Sequence, residues 1–363
     1  MEAYHVSIII LMSFVCTLLT IQANAKAQVT SMFVFGDSLS DPGNNINFVM
    51  TVAKTKYWPY GIDFEKGPTG RYSNGKIFVD YIGELLGLPI VSSYVDSTTN
   101  GADIMFGVNY ASAGAGILDE TGLHFGKVIP LREQVDNFKN TLNQLRVKMQ
   151  TDELSNYLAK SVAFMAIGSN DYLNNYILPP FYQSSLIYNP QQFADILIKI
   201  YTTHILELQN LGFRKFLIVE VAPIGCIPAV VALGLTRPSE CEWKFNDFVR
   251  VFNARLKSLV YRLNSDNPGS LFTLAATFEM FMDLRNNSDA HGFTVKDKAC
   301  CAIGIDNGKP VCLPQAEPCF NREQYLFWDD AHPTQAANRN FAYTIFNSTT
   351  FCFPITIQKM GEM

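Results

Sequence analysis

Ser38 stands in the run Phe35-Gly36-Asp37-Ser38-Leu39-Ser40-Asp41, directly after a short apolar segment, and Asp329 and His332 stand in Trp328-Asp329-Asp330-Ala331-His332-Pro333-Thr334 near the other end. Together these are the side chains of nucleophilic acyl transfer. A serine hydroxyl attacks poorly until an imidazole takes its proton, and the imidazole works best when a carboxylate fixes its tautomer. Of the four histidines beyond the N-terminal leader, His332 alone has an acid three residues before it. His5 falls in the N-terminal apolar stretch, His204 lies on an apolar helical segment, and His124 and His291 lack such a neighbour. Asp330 competes with Asp329 for the orienting role, and the spacing demotes it without excluding it. Read alone, Ser38 would also suit a helix N-cap at a strand-to-helix turn, where the helix dipole would favour an attacking oxygen.

Two further blocks lie between these ends, Asn109-Tyr110-Ala111-Ser112-Ala113-Gly114-Ala115-Gly116 and Gly168-Ser169-Asn170-Asp171. The tetrahedral intermediate of acyl transfer carries an oxyanion, which needs hydrogen-bond donors aimed at it. Glycine suits a close approach of backbone to substrate, and Gly114 and Gly116 both qualify. Asn170 offers a side-chain amide.

In this order the four blocks resemble the plant GDSL esterase/lipase family of SGNH hydrolases, over essentially the whole chain beyond its first residues. The resemblance implies Ser38 as nucleophile, His332 as base and Asp329, from an Asp-x-x-His pattern, as orienting acid. It assigns the oxyanion hole to the Ser38 and Gly114 N–H groups and the Asn170 amide, with no metal and no cofactor. The implied activity is that of a serine esterase/lipase working through an acyl-enzyme on lipid, phenolic or acetylated polysaccharide esters. One alternative is acyl transfer to an alcohol, as relatives do in building cutin; another is a non-catalytic secreted binding protein with the same fold. A glycan-binding wall protein would need an exposed aromatic platform. Asp37 and Asp41 are expected to organise the turn, and Asn44-Asn45 continues the family pattern. Pro42 and Ala113 depart from it and could reshape the pocket rim. Residues 61–73, with Phe64, Pro68, Arg71 and Tyr72, are expected to wall the cleft. No long apolar lid is evident, which leans away from interfacial action on long-chain fat.

The elements that must position these blocks are five β-rich runs, 32–35, 104–110, 161–167, 215–221 and 270–275, with helical stretches between them. Alternation of this kind implies a three-layer α/β/α sandwich around a mainly parallel five-stranded sheet, flavodoxin-like in the resembling family. The first three blocks then follow strands one, two and three and converge at the carboxyl edge, where such sheets bind ligands. Residues 190–211 and 242–263 show helical apolar spacing, and Pro333-Thr334 starts another helix with Ala337, Phe341 and Ile345 on one face.

Composition sets the setting. With 48% hydrophobic and 17% charged residues among 363, the chain has material for a large core. A net charge of -5 without basic runs excludes nucleic acid and gives no pull toward anionic membranes. Residues 8–21 are apolar except Ser13, Thr17 and Thr20, and Ala23-Asn24-Ala25 follows as a cleavage site. Residues 1–25 therefore read as a secretory signal peptide, too short for the ~20 residues of a span. Its removal takes Glu2 and leaves a charge of -4. The expectation is a secreted, extracellular monomer in which 26–363 is one domain, without stable membrane insertion. Seven cysteines remain after Cys16: Cys226, Cys241, Cys300, Cys301, Cys312, Cys319 and Cys352. In an oxidising compartment Cys226 and Cys241 would close one loop, and disulfides rather than zinc would staple 297–320, leaving one cysteine odd. Asn286 and Asn347 head glycosylation sequons.

Overall fold

The computed structural model describes residues 29–96, 102–177, 181–302 and 312–363, so residues 1–25, read above as a signal peptide, and part of the stapled loop lie outside the described residues. Its centre is a five-stranded sheet in the order β1 (Met32–Gly36), β2 (Val162–Ala166), β3 (Lys215–Val219), β4 (Leu271–Ala275) and β7 (Cys352–Phe353). The first four strands run parallel and the short β7 pairs antiparallel with β4 through Leu274 and Ala275. The parallel strands read as nearly continuous apolar runs because both faces are covered. Phe216 and Phe272 face each other across β3 and β4, with ring centroids 4.7 Å apart.

The helices supply the two outer layers. On one side α1 (Phe78–Leu85) packs against α7 (Gln335–Phe346), and on the other α4 (Pro190–Asn210) packs against α5 (Trp243–Asp266) and α2 (Leu131–Lys148). Between them in sequence lie α3 (Thr151–Lys160) and α6 (Thr277–Asn286). Local signals set the boundaries: Asn189 and Gln192 form a capping box on α4 with Pro190 in its first turn, and the Thr334 hydroxyl caps α7 at the Ala337 N–H.

One expected strand is not formed. Residues 102–106 turn as a 3-10 helix, and the run then lies beside β1 through a single bridge, Asn109 to Val34. The Val34 N–H donates to the Val108 carbonyl at 3.0 Å and the Tyr110 N–H to the Val34 carbonyl at 2.8 Å. Gly107 ends the pairing: its φ is +108° and an added Cβ would stand 1.8 Å from the Met32 carbonyl oxygen. The sheet still has five strands because β7 closes the opposite edge.

A second sheet pairs β5 (Val295–Ala299) with β6 (Tyr325–Phe327). It aims the segment carrying Asp329 and His332. Disulfides Cys300–Cys319 and Cys301–Cys312 flank it, and the Cys301 N–H donates to the Trp328 carbonyl at 2.7 Å.

Candidate active site

The Ser38 turn is built from the end of β1. A Cβ on Gly36 would meet the Ala166 carbonyl at 2.7 Å, so the strands approach here as only glycine allows. The Gln134 amide closes both Gly36 backbone groups at 2.8 Å. Asp37 then accepts the Leu39 N–H on its side chain at 3.0 Å and the Ser40 N–H on its carbonyl at 3.1 Å. This turn leaves Ser38 half-buried at the cavity wall. No helix begins there; the next α-helix is α1, so the expected N-cap role and helix dipole are absent.

Asp41 ties this turn to the second block. Its Oδ1 accepts the Gly43 and Asn44 N–H groups at 2.7 and 2.6 Å, and its Oδ2 accepts the Ala113 N–H at 2.8 Å. Pro42 is tolerated because the donors come from the two residues after it. Asn45 donates to the Ala53 and Ala113 carbonyls and accepts the Ser112 hydroxyl. Burial pushes Asp41 up to about 6 against the pull of its N–H donors, and Asp37 up to about 7.

At the far end, His332 Nε2 lies 2.8 Å from Ser38 Oγ. Its Nδ1 lies 2.7 and 2.9 Å from the two oxygens of Asp329. The consistent tautomer donates Nδ1–H to Asp329 and accepts the Ser38 proton at Nε2. Asp329 Oδ1 also accepts the His332 and Ala331 backbone N–H groups at 2.8 and 3.0 Å. The Tyr60 hydroxyl donates to Oδ2 at 2.6 Å. Burial would raise Asp329, but the His332 charge, its hydrogen bond and these other donors hold it below the ordinary carboxylate value. Burial likewise pulls His332 down, and Asp329, then Asp330 and Asp37, outweigh it and raise it. Asp330 makes no bond to the imidazole and is pushed up to about 7 by burial and the neighbouring Asp329 charge. Tyr72 packs on the imidazole, ring centroids 4.6 Å apart. Tyr60 and Gln134 are supports that the sequence reading missed, and no local pattern marks them; Tyr72 was expected only as a wall of the cleft.

The three expected oxyanion donors share the cavity wall with Ser38. Among the described residues, neither the Ser38 nor the Gly114 N–H is taken by another protein group. Asn170 spends one amide hydrogen on the Ala115 carbonyl at 2.9 Å, and its Oδ1 accepts from Asn174, which fixes the amide and leaves its second hydrogen. Gly114 has φ +83° and backs onto Phe125, whereas Gly116 is boxed by Thr121 and Asp171 away from the wall. Asp171 accepts the Ile117 and Leu118 N–H groups and so holds the third block to the second.

The cavity is about 420 Å³. Beyond Ser38 it is lined by Ile224, Ile227, Met280, Phe281, Phe327 and Phe341, with the Glu220 carboxyl among them pushed up to about 7 by burial against the Phe278 N–H. From residues 61–73 only Tyr72 reaches it, which corrects the expectation for that segment. Arg71 is instead buried, paired with Asp80 at 2.8 and 2.9 Å and stacked on Phe64, where it fixes the loop to α1. A second concavity of about 580 Å³, between Tyr176, Leu186 and Phe248, contains none of the block residues.

Among the described residues one group of metal-ligand types gathers: Asp329, Asp330 and His332, within 4.8 Å. Both imidazole nitrogens there are engaged by Asp329 and Ser38. Six of the cysteines form disulfides, Cys226–Cys241 among them, and Cys352 is free and buried. Asn286 and Asn347 are exposed. No helix among the described residues is long and apolar enough to cross a membrane.

Comparison with known proteins agrees with the geometry. The family model described as GDSL-like Lipase/Acylhydrolase matches residues 32–345. The chain is 46% identical over 346 residues to the Arabidopsis thaliana protein GDSL esterase/lipase At5g08460, covering 94% of this chain and 90% of that one. It is 43% identical to GDSL esterase/lipase 7 of the same plant, over 92% of each.

Proposed function

Since the chain belongs to the GDSL-like lipase/acylhydrolase family and is a hydrolase of ester bonds, we propose that it is a secreted serine esterase acting through an acyl-enzyme on Ser38. The observation that carries this reading is the continuous contact from Ser38 Oγ through His332 to buried Asp329, opening on an apolar cavity. Ser38 Oγ attacks the ester carbonyl while its proton passes to His332 Nε2, and the imidazolium is stabilised by Asp329. The oxyanion forms against the Ser38 and Gly114 N–H groups and the Asn170 amide. Collapse expels the alcohol, which takes the proton from His332. Water, deprotonated by the same imidazole, then releases the acid and restores Ser38.

The apolar lining favours an aliphatic acyl chain over acetate. Export as a single domain after loss of residues 1–25 is supported by the leader pattern and the three disulfides. The test is hydrolysis of p-nitrophenyl acetate, butyrate and palmitate by the protein and by Ser38→Ala. Activity that disappears in the variant and is higher on butyrate than acetate is expected. Full activity in Ser38→Ala would overturn the assignment.

A further inference from the structure

The strongest unexplained surface lies outside the cavity, at its mouth. Val49, Met50 and Val52 from one loop, Leu123 from a second and Phe181 from a third are between 57% and 90% exposed. Large apolar side chains grouped in this way on a soluble surface mark an interaction site. Thr51 pairs antiparallel with Gly126, and the Val52 N–H donates to the Phe125 carbonyl at 2.9 Å. The Thr51 hydroxyl reaches the same carbonyl at 3.1 Å. His124 in turn stacks on Phe181, centroids 5.0 Å apart, and its Nδ1 meets the Tyr182 hydroxyl at 2.9 Å. The three loops therefore form one ridge, held by backbone and ring contacts while its apolar tips face outward.

Two observations say what the ridge meets. First, Val52 and Phe125 belong both to the ridge and to the cavity wall that contains Ser38, so apolar surface runs without interruption from the outside to the acyl site. Second, residues 42–62 and 122–130 contain no acid in a chain whose net charge is -5. Of the three cations there, Lys54 and Lys127 bind back onto the Phe48 carbonyl and ring, and Lys56 is exposed beyond the apolar tips in sequence, so the tip side chains themselves carry no charge. An apolar ridge free of acids and opening into an acyl cavity fits an aggregated lipid better than a soluble ester.

We propose that this ridge docks the protein onto the surface of aggregated long-chain ester, so that an acyl chain passes from the droplet over Val52 and Phe125 to Ser38. The proposal rests on the reading of the cavity as an ester site. The ridge is a fixed platform, distinct from the mobile apolar lid that the sequence lacks. Partial burial of the exposed tips in the lipid drives adsorption in proportion to the apolar area removed from water.

The test measures adsorption to triolein droplets coated with phosphatidylcholine, in a Ser38→Ala background so that binding is read without hydrolysis. Val49→Ser, Met50→Ser and Leu123→Ser together, none of which lines the cavity, should weaken adsorption by at least ~30-fold. The same three changes with Ser38 intact should leave hydrolysis of dissolved p-nitrophenyl acetate unchanged, which also reports a correct fold. Hydrolysis of emulsified ester should fall in step with adsorption. Unchanged adsorption in the triple variant would overturn the proposal, as would a concentration-dependent dimer that the substitutions abolish while droplet binding is absent. Failure of the esterase reading would show instead as no hydrolysis by any form, with adsorption still measured.

Discussion

Asp330 gives the sharpest perturbation of the site because it shares charge with His332 without sharing a hydrogen bond. One imidazole nitrogen of His332 and one oxygen from each of Asp329 and Asp330 lie within 4.8 Å of one another. Two unit charges about 5 Å apart interact by about 3 kcal/mol at an effective dielectric of ~20 and by about 0.8 kcal/mol in bulk water. The half-buried Asp330 sits between these limits. It is also only partly ionised near neutrality, since burial and Asp329 raise it to about 7. At about 1.36 kcal/mol per pH unit, its loss should lower the His332 value by roughly one unit. The sign follows from the base role: His332 must be neutral to accept the Ser38 proton, so a lower value lets activity begin at lower pH. In Asp330→Asn the acid limb of kcat/KM for p-nitrophenyl butyrate should therefore move down by about one pH unit, with the plateau kept within about threefold. In Asp329→Asn the plateau itself should fall by about 10⁴, because Nδ1 loses the acceptor that sets the tautomer. An acid limb that stays in place or moves up in Asp330→Asn would refute the electrostatic argument. A plateau lost in Asp330→Asn and retained in Asp329→Asn would exchange the two roles.

Three further outcomes are expected. Asn170→Ala should lower kcat by about 10²–10³ with little change in KM, since the amide meets charge that develops only in the transition state; a loss confined to KM would contradict this. Cys301→Ala with Cys312→Ala should cost ~2–4 kcal/mol in denaturant unfolding and reduce turnover, because this loop holds the Trp328 carbonyl beside Asp329; unchanged stability would contradict it. Stability should fall as pH rises through neutrality, because Asp37, Asp330 and Glu220 hold protons in the folded state up to about 7 that the unfolded chain releases near its ordinary carboxyl values. Raised His332 acts with the same sign, its contribution being lost as pH rises through its folded value, whereas lowered Asp329 and Asp63 act only in the acid range. A Tm of Ser38→Ala that is higher at about pH 8 than at about pH 5.5 would contradict this balance.

That Ser38, Gly114, Asn170 and His332 gather at one cavity, with Asp329 behind His332, was legible because each sits in a short block that follows a strand or matches the resembling family, which also chose Gly114 over Gly116 and Asp329 over Asp330. Their supports were not. Tyr60 is 269 residues from the Asp329 it holds, and Gln134 is 98 residues from Gly36, so only the fold makes them neighbours. The helices at Pro190–Asn210 and Trp243–Asp266 followed from apolar periodicity and caps, which are local. The run 104–110 misled because burial preserved its apolar character while Gly107 broke its backbone. Arg71 misled in the opposite way: a charged residue near the cleft invites a substrate role, yet Asp80, nine residues on, neutralises it in the interior. The β7 edge is two residues long and carries no pattern at all.

The central claim is that His332 makes Ser38 a nucleophile, and intact-mass measurement after brief exposure to a fluorophosphonate tests it most directly. One phosphonyl adduct that maps to Ser38, and is absent when His332→Ala is treated identically, is the predicted result. Labelling that persists in His332→Ala, or that maps to another residue, would contradict the account.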